Sequence, residues 1–496
     1  MAGGFLNIRR QAKPMSKSTA SQNSAPATKK TEAGTLASKE DEAKWDVTKP
    51  LREAAGRFRA KDMRVRVLVL VLLIAASAFA LRALLDTQLS AMQKFFGAAV
   101  LLLITGEIIR GWMNWDGFLG LIMFRDSSTL GWIDRQAQAH AVLWKTLADV
   151  GAVIGYGLAS YFLLGKKQRE PKRLLYVLAA GLPLLLLFFL FVVPTGYLAL
   201  RSAIGISELN AASAQMNSAV PLQGELEFAL AGKQFAVPWL TVIMSILMLA
   251  GGLATVAWLS IVAYAAVLVV PLTNKVISII LGLAGYAGAP APVPPPGGAP
   301  LIPGITPGLP LIEGILALAV LMVVHEMSHG FLARVHKIKL ENAGVVFYGI
   351  LPFGAFVEPD EKELGKVAVE NSNQVLVAGS AANMITAIIA FLIIVALSMI
   401  FVGPYLDWGA AQGFVKGSLQ GNLYGVSTGA ILFVGRCLGL ILALNMLVGM
   451  INLLPVPLFD GHRLMVAGVG NERVAKAITY ITLAAFVINF LPWIFR

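Results

Sequence analysis

Apolar residues in this chain gather into long runs rather than into the alternating or 3.6-residue patterns of water-facing elements. The runs occupy positions 66–85, 95–109, 146–164, 174–200, 237–270, 312–333, 374–402, 424–453 and 474–494. Several exceed the roughly 20 residues that a helix needs to cross the hydrocarbon core. The pattern therefore predicts an all-α polytopic membrane protein of about nine transmembrane helices. Residues 343–357 break the rule: they are β-prone and punctuated by Gly and Pro, and predict a small β element.

Polar stretches divide the chain. Residues 1–66, rich in Ser, Ala, Thr and Lys without apolar periodicity, read as a disordered basic tail. Residues 67–270 form an N-terminal membrane block, interrupted by polar stretches at 112–140 and 166–173 and followed within it by a mixed loop at 201–236. Residues 271–310, centred on Pro290, Pro292, Pro294, Pro295 and Pro296, are expected to be a Pro/Gly-rich linker. The block 311–496 holds every motif with chemical content.

Composition agrees, with 57% of residues hydrophobic and 14% charged, which excludes an ordinary soluble domain. The net charge of +12 changes the picture only through its location. Residues 1–66 carry 15 Lys and Arg against 7 Asp and Glu, so +8 lies in the tail. No basic stripe with interleaved aromatics follows, so the charge points to anionic headgroups and not to nucleic acid. About sixty polar residues precede the first apolar run, so that run is expected to be a permanent anchor and not a cleavable signal.

Charge also orients the chain. Arg334, Lys337 and Lys339 follow one apolar run and Arg463, Arg473 and Lys476 another, while 403–423 holds only Asp407 and Lys416. The positive-inside rule then puts the tail and the motif-bearing ends in the cytosol. Counting every run as a crossing places 166–173, with its lysines and arginines, outside; either one span is miscounted or one is re-entrant.

Chemistry concentrates in His325-Glu326-Met327-Ser328-His329, at the end of an apolar run in a chain with five histidines. Positions i and i+4 share a helix face, so both imidazoles can reach one zinc. Glu326 lies about 100° round the helix, where it can take a proton from a metal-activated water. Packed core histidines are the plain alternative, but ionisable groups in an apolar span are costly and by default functional. Cys437 is the only cysteine, which excludes a disulfide within the chain and a Cys-based metal site.

One ligand is still needed. A metzincin third histidine is excluded, because Leu332 and Val335 stand where that pattern needs Gly and His. His336, Glu341, Glu358, Asp460 and His462 are the candidates. Asp460 stands out, because Pro455 and Pro457 break an apolar helix just before it, and broken backbone at membrane depth lines a protein-enclosed cavity. A helix-ending turn capped by Asp is the alternative.

The pairing of His325 to His329 with Asn-x-x-Pro-x-Pro-x-x-Asp-Gly, from Asn452 to Gly461, resembles the site-2 protease family of intramembrane zinc proteases, archaeal members most. Phe459 replaces the usual Leu, and Gly379-Ser380-Ala381-Ala382-Asn383 is similar to a Gly-x-x-x-Asn element of the family. The resemblance covers about 300 to 465. It implies one zinc per chain held by His325, His329 and Asp460, with Glu326 activating water and Asn383 and Asn452 lining the site, although a buried Asn can equally bond helices together. It implies that 343–357 forms membrane-associated strands able to pair with an unwound substrate. It further implies a transmembrane protein substrate in the lipid bilayer of the cell. The segment 403–423 is too short for the PDZ domain that many bacterial relatives carry there. A catalytically silent metal-binding scaffold and an ion transporter are the rival readings; the intact Glu326 argues against the first, and nothing in the second requires the His-Glu-x-x-His spacing.

Overall fold

Away from water, an apolar run must satisfy its own backbone N–H and C=O groups, and a helix does so within one segment. The computed structural model describes residues 48–57, 62–89, 91–125, 127–204, 225–230, 233–286, 288, 290–297, 303–304, 309–401, 408–420, 429–457, 459–469 and 471–495. Among the described residues nine helical stretches are long and apolar enough to cross a bilayer. They are formed by α1 (Met63–Leu85), α2 (Ala91–Met113), α4 (Ala141–Tyr156, with the 3-10 turn after it), α5 (Pro171–Leu187) continued by α6 (Val193–Ile204), α7 (Trp239–Leu283), α8 (Leu311–Val335), α9 (Val369–Phe401), α11 (Gly429–Ile451) and α13 (Glu472–Phe490). Three shorter helices, α3 (Ser127–Ala139), α10 (Trp408–Gln420) and α12 (Asp460–Val469), lie between them. The chain is a multi-pass membrane protein, and α1 shows its solvent most plainly: Leu68, Leu72 and Phe79 are exposed while Ser77 and Leu81 are buried.

The expected β element is present and larger than the sequence suggested. Strands β1 (Asp116–Phe118), β2 (Leu121–Arg125), β5 (Leu340–Tyr348) and β6 (Leu351–Pro359) form an antiparallel sheet in the order β1-β2-β5-β6. The first two come from the polar stretch 112–140, and Leu121↔Tyr348 to Arg125↔Gly344 pair across the long gap. Buried Glu107 of α2 fastens their turn, accepting from Gly120 N at 2.8 Å and from Arg110, which also donates to Gly117 O. A second hairpin, β3 (Glu225–Leu230) with β4 (Lys233–Pro238), occupies part of the segment expected to be a loop. Helix α10 likewise lies in 403–423, where no element was expected.

Helix α7 continues through Pro271 to Leu283, beyond the point at which the change in composition suggested that a linker begins. Residues Val276 to Leu283 remain apolar, and a single proline removes only one donor, which a packed membrane helix tolerates. Extended backbone follows, but it is not loose. Tyr264 donates to Pro295 O, Lys275 to Ala291 O and Gly297 N to Asn489 O, each at 2.9 Å, while Pro294 and Pro296 are buried. The proline-rich segment is a strap laid across α7 and α13.

The stretch Ala141–Phe162 does not behave as a simple crossing. Helix α4 descends with Trp144 stacked on Phe331, Asp149 bonded to Gln374 and Gly151 against Ala381. At Gly157 the backbone takes φ 56°, and a 3-10 turn, Gly157–Phe162, turns the chain back. Leu163 O then accepts from Asn373 Nδ2 at 3.2 Å, at the level of α9 already reached by Asp149. The element is a hairpin with its tip at residues 155–157, and Gly165, just before the basic run 166–173, returns to stand beside Glu370 in the first turn of α9. The tip meets a break in α7. Gly252 has φ 68°, ψ −167°, a region essentially confined to glycine, and a Cβ there would overlap Gly155 O and Tyr156 N.

Packing does not respect the proline-rich boundary. One cluster of buried side chains joins Val150, Ile154, Phe188 and Leu253 to Met384, Phe391, Leu442 and Leu453; another joins Ile133, Ala148 and Ala152 to Phe331, Val375 and Leu464.

Candidate metal centre

Three elements deliver the site. Helix α8 places His325 and His329 one turn apart, His325 only 6% exposed. Helix α9 lies against them with Gly379, where a Cβ would overlap both imidazoles. Helix α11 ends at Ile451, and the buried break Leu453-Leu454-Pro455-Val456 leads to Asp460 at the start of α12. Gly461 closes that break: its N–H donates to Asn452 O at 2.7 Å, and a Cβ would overlap Leu453 O. Proline removes donors and bends the chain, glycine lets it return upon itself, and the carboxylate is thereby turned toward α8.

His325 Nε2 and His329 Nε2 lie 3.2 Å apart, and Asp460 Oδ2 lies 3.5 and 3.3 Å from them. Ligand atoms about 2.0–2.1 Å from a tetrahedral zinc stand about 3.3 Å from one another. Asp460 Oδ2 is buried without a hydrogen-bond partner, and together these three residues form a group able to hold a metal ion. The donor set, two imidazoles and a carboxylate, is that of catalytic zinc with a position left for water.

Surrounding groups set the tautomers. His329 Nδ1 lies 2.7 Å from Val375 O, so it carries the proton and leaves the Nε2 lone pair toward the site. Asn383 stands 3.0 Å from His325 Nδ1, and its Oδ1 is buried without a partner. With the amide turned so that Oδ1 accepts from Nδ1–H, that orphan is satisfied and His325 Nε2 is likewise free for a metal. Asn452 Nδ2 lies 3.2 Å from His325 Nε2 at the rim. Glu326 is held by strand β6, accepting from Val357 N at 3.2 Å.

The structure thus gathers all six residues singled out in the sequence. The rival ligands are engaged elsewhere. His336 bonds Gln374 at 2.8 Å, and burial lowers its pKa; His462 meets Thr479 at 3.3 Å; Glu358 accepts from Asn342 at 2.8 Å. Glu341 stands on β5, outside the group that could hold a metal. The role of Val375 O, the Val357 N–H and the empty face of Gly379 was not read from sequence, because backbone groups and missing side chains leave no signature beyond the Gly-x-x-x-Asn pattern.

Residues 313–489 match the family model of peptidase family M50. They belong to that family, the site-2 protease family. The M50 segment begins at the second residue after α8 starts and ends within α13, so it contains the whole metal centre and excludes α1 to α7. Peptidases of that family are zinc-dependent. Among curated proteins, the uncharacterized protein MJ0971 of Methanocaldococcus jannaschii is 37% identical over 84 residues, which is 16% of this chain and 21% of that protein. The chain therefore spans about a fifth of the length of the curated relative that it matches. No solved structure matches.

Proposed function

We propose that the protein is an intramembrane zinc endopeptidase that cuts transmembrane segments of other proteins, with one zinc held by His325, His329 and Asp460. The observation that carries this reading is the convergence of those three donors at zinc-ligand spacing beside Glu326. Zinc in such a site lowers the pKa of water and polarises a carbonyl. Glu326 takes the proton from the attacking water and passes it to the leaving nitrogen. His329 and His325 are oriented by Val375 O and Asn383, and Asn452 at the rim is placed to meet the substrate backbone.

A helical substrate hides its peptide bonds behind its own hydrogen bonds, so it must unwind before attack. Strand β6 is the end strand of the sheet, and its Val357 N–H reaches the Glu326 carboxylate. An unwound segment pairing along β6 would run past the base, which supports strand addition as the mode of binding. Segments with helix-breaking residues are therefore the preferred substrates. The basic ends of α8 and of the re-entrant hairpin support a cytosolic active-site side, and we divide the chain into a basic tail, a membrane block that runs to Leu283 at the end of α7, a proline-rich strap and the block 311–496.

Substitution Glu326→Gln tests the mechanism. The ligands remain, so zinc content should stay at that of the wild type, while cleavage of a single-span substrate should fall by about 10²–10⁴-fold. A rate near wild type would overturn the assignment.

A further inference from the structure

Tyr156, at the tip of the re-entrant hairpin, has a buried hydroxyl with no hydrogen-bond partner. Buried phenols ordinarily find one. Its ring packs between the two core clusters, and the adjoining Gly155 faces Leu453 and Met384, to which a Cβ would stand 3.2 and 3.8 Å away. Leu453 belongs to the break that leads to Asp460. Tyr156 Oη and Asp460 Oδ2 are both buried without a hydrogen-bond partner. A metal ion accounts for the carboxylate and leaves the hydroxyl unexplained.

We propose that the Tyr156 hydroxyl, carried into the metal centre on the re-entrant tip, donates a hydrogen bond to the scissile carbonyl oxygen of the substrate as that oxygen gains negative charge. The proposal rests on the peptidase reading above. In the reaction the water oxygen adds to the carbonyl carbon, and the π electrons move to the carbonyl oxygen. When the carbonyl re-forms, the C–N bond breaks, and the proton collected by Glu326 goes to nitrogen. Tyr156 keeps its proton throughout and acts only as a donor already in place, which is where a buried hydrogen bond contributes most to a developing charge. The tip is fixed for that task. Gln374 Nε2 donates to Asp149 Oδ1 at 2.6 Å on the descending arm, Asn373 holds Leu163 O on the returning arm, and Gly252 seats the turn between them.

The test is Tyr156→Phe in the full chain, purified in detergent, with zinc content, melting temperature, kcat, KM and the Kd of a peptide phosphinate as readouts. The phosphinate is tetrahedral and anionic where the reacting carbonyl would be. Zinc content and KM should be unchanged and the melting temperature equal or higher, because an orphaned hydroxyl has been removed. The rate constant kcat should fall about 10²-fold, with phosphinate binding weakened to a similar degree. An active variant with wild-type kcat and phosphinate affinity would overturn the proposal, as would loss of zinc. Wild-type protein that neither cleaves nor binds the phosphinate would instead sink the peptidase reading, and this proposal with it.

Discussion

At the scale of single residues, the most demanding position is Gly379. A methyl group there would overlap His325 Cε1 and His329 Nε2 and lie 2.5 Å from His325 Nε2, in the space that a metal and its water require. Gly379→Ala should therefore remove most of the bound zinc and abolish cleavage, while the overpacking costs about 1–3 kcal/mol of stability. Zinc content on the folded variant checks this, and full zinc there would show that the imidazoles can move aside. His325, Glu326, His329 and Asp460 were legible because each is a costly group in an apolar setting with a spacing that chemistry explains. Tyr156 was not, because a tyrosine in an apolar run looks like any other packed aromatic until its hydroxyl is found without a partner.

At the scale of elements, hydrophobic runs marked the membrane helices well, since backbone satisfaction in lipid is a local requirement. Strands β1 and β2 escaped notice because they are held by pairing with β5, more than two hundred positions later, and by Glu107 beneath their turn. The turning back of the chain after α4 was legible only as an inconsistency of charge, because a run of that length does not say whether it crosses or returns. The seat of that turn is the break in α7. Gly252→Ala adds a Cβ where Gly155 O and Tyr156 N already stand, in a conformation that L-residues avoid at a cost of about 1–3 kcal/mol. The variant should melt several degrees lower and lose most of its activity while keeping zinc, since no ligand lies on α7. A thermal melt with zinc analysis decides it, and wild-type stability and rate would show that the tip does not depend on this contact.

At the scale of the whole molecule, α3 to α7 and the M50 segment share buried clusters, and Gly155 at the hairpin tip packs against Leu453 in the break that leads to Asp460. The proline-rich segment was legible as non-helical but not as a strap, because its partners Tyr264, Lys275 and Asn489 lie on α7 and α13, whose packing beside it composition does not reveal. The central claim is that this one assembled core holds a single zinc on His325, His329 and Asp460. It is tested most directly by the zinc content of the purified full chain beside alanine variants at His336, Glu341, Glu358, Asp460 and His462. The account predicts one zinc per chain in the wild type and in the other four variants, and near none in Asp460→Ala. Full zinc in Asp460→Ala, with loss in one of the others, would contradict it.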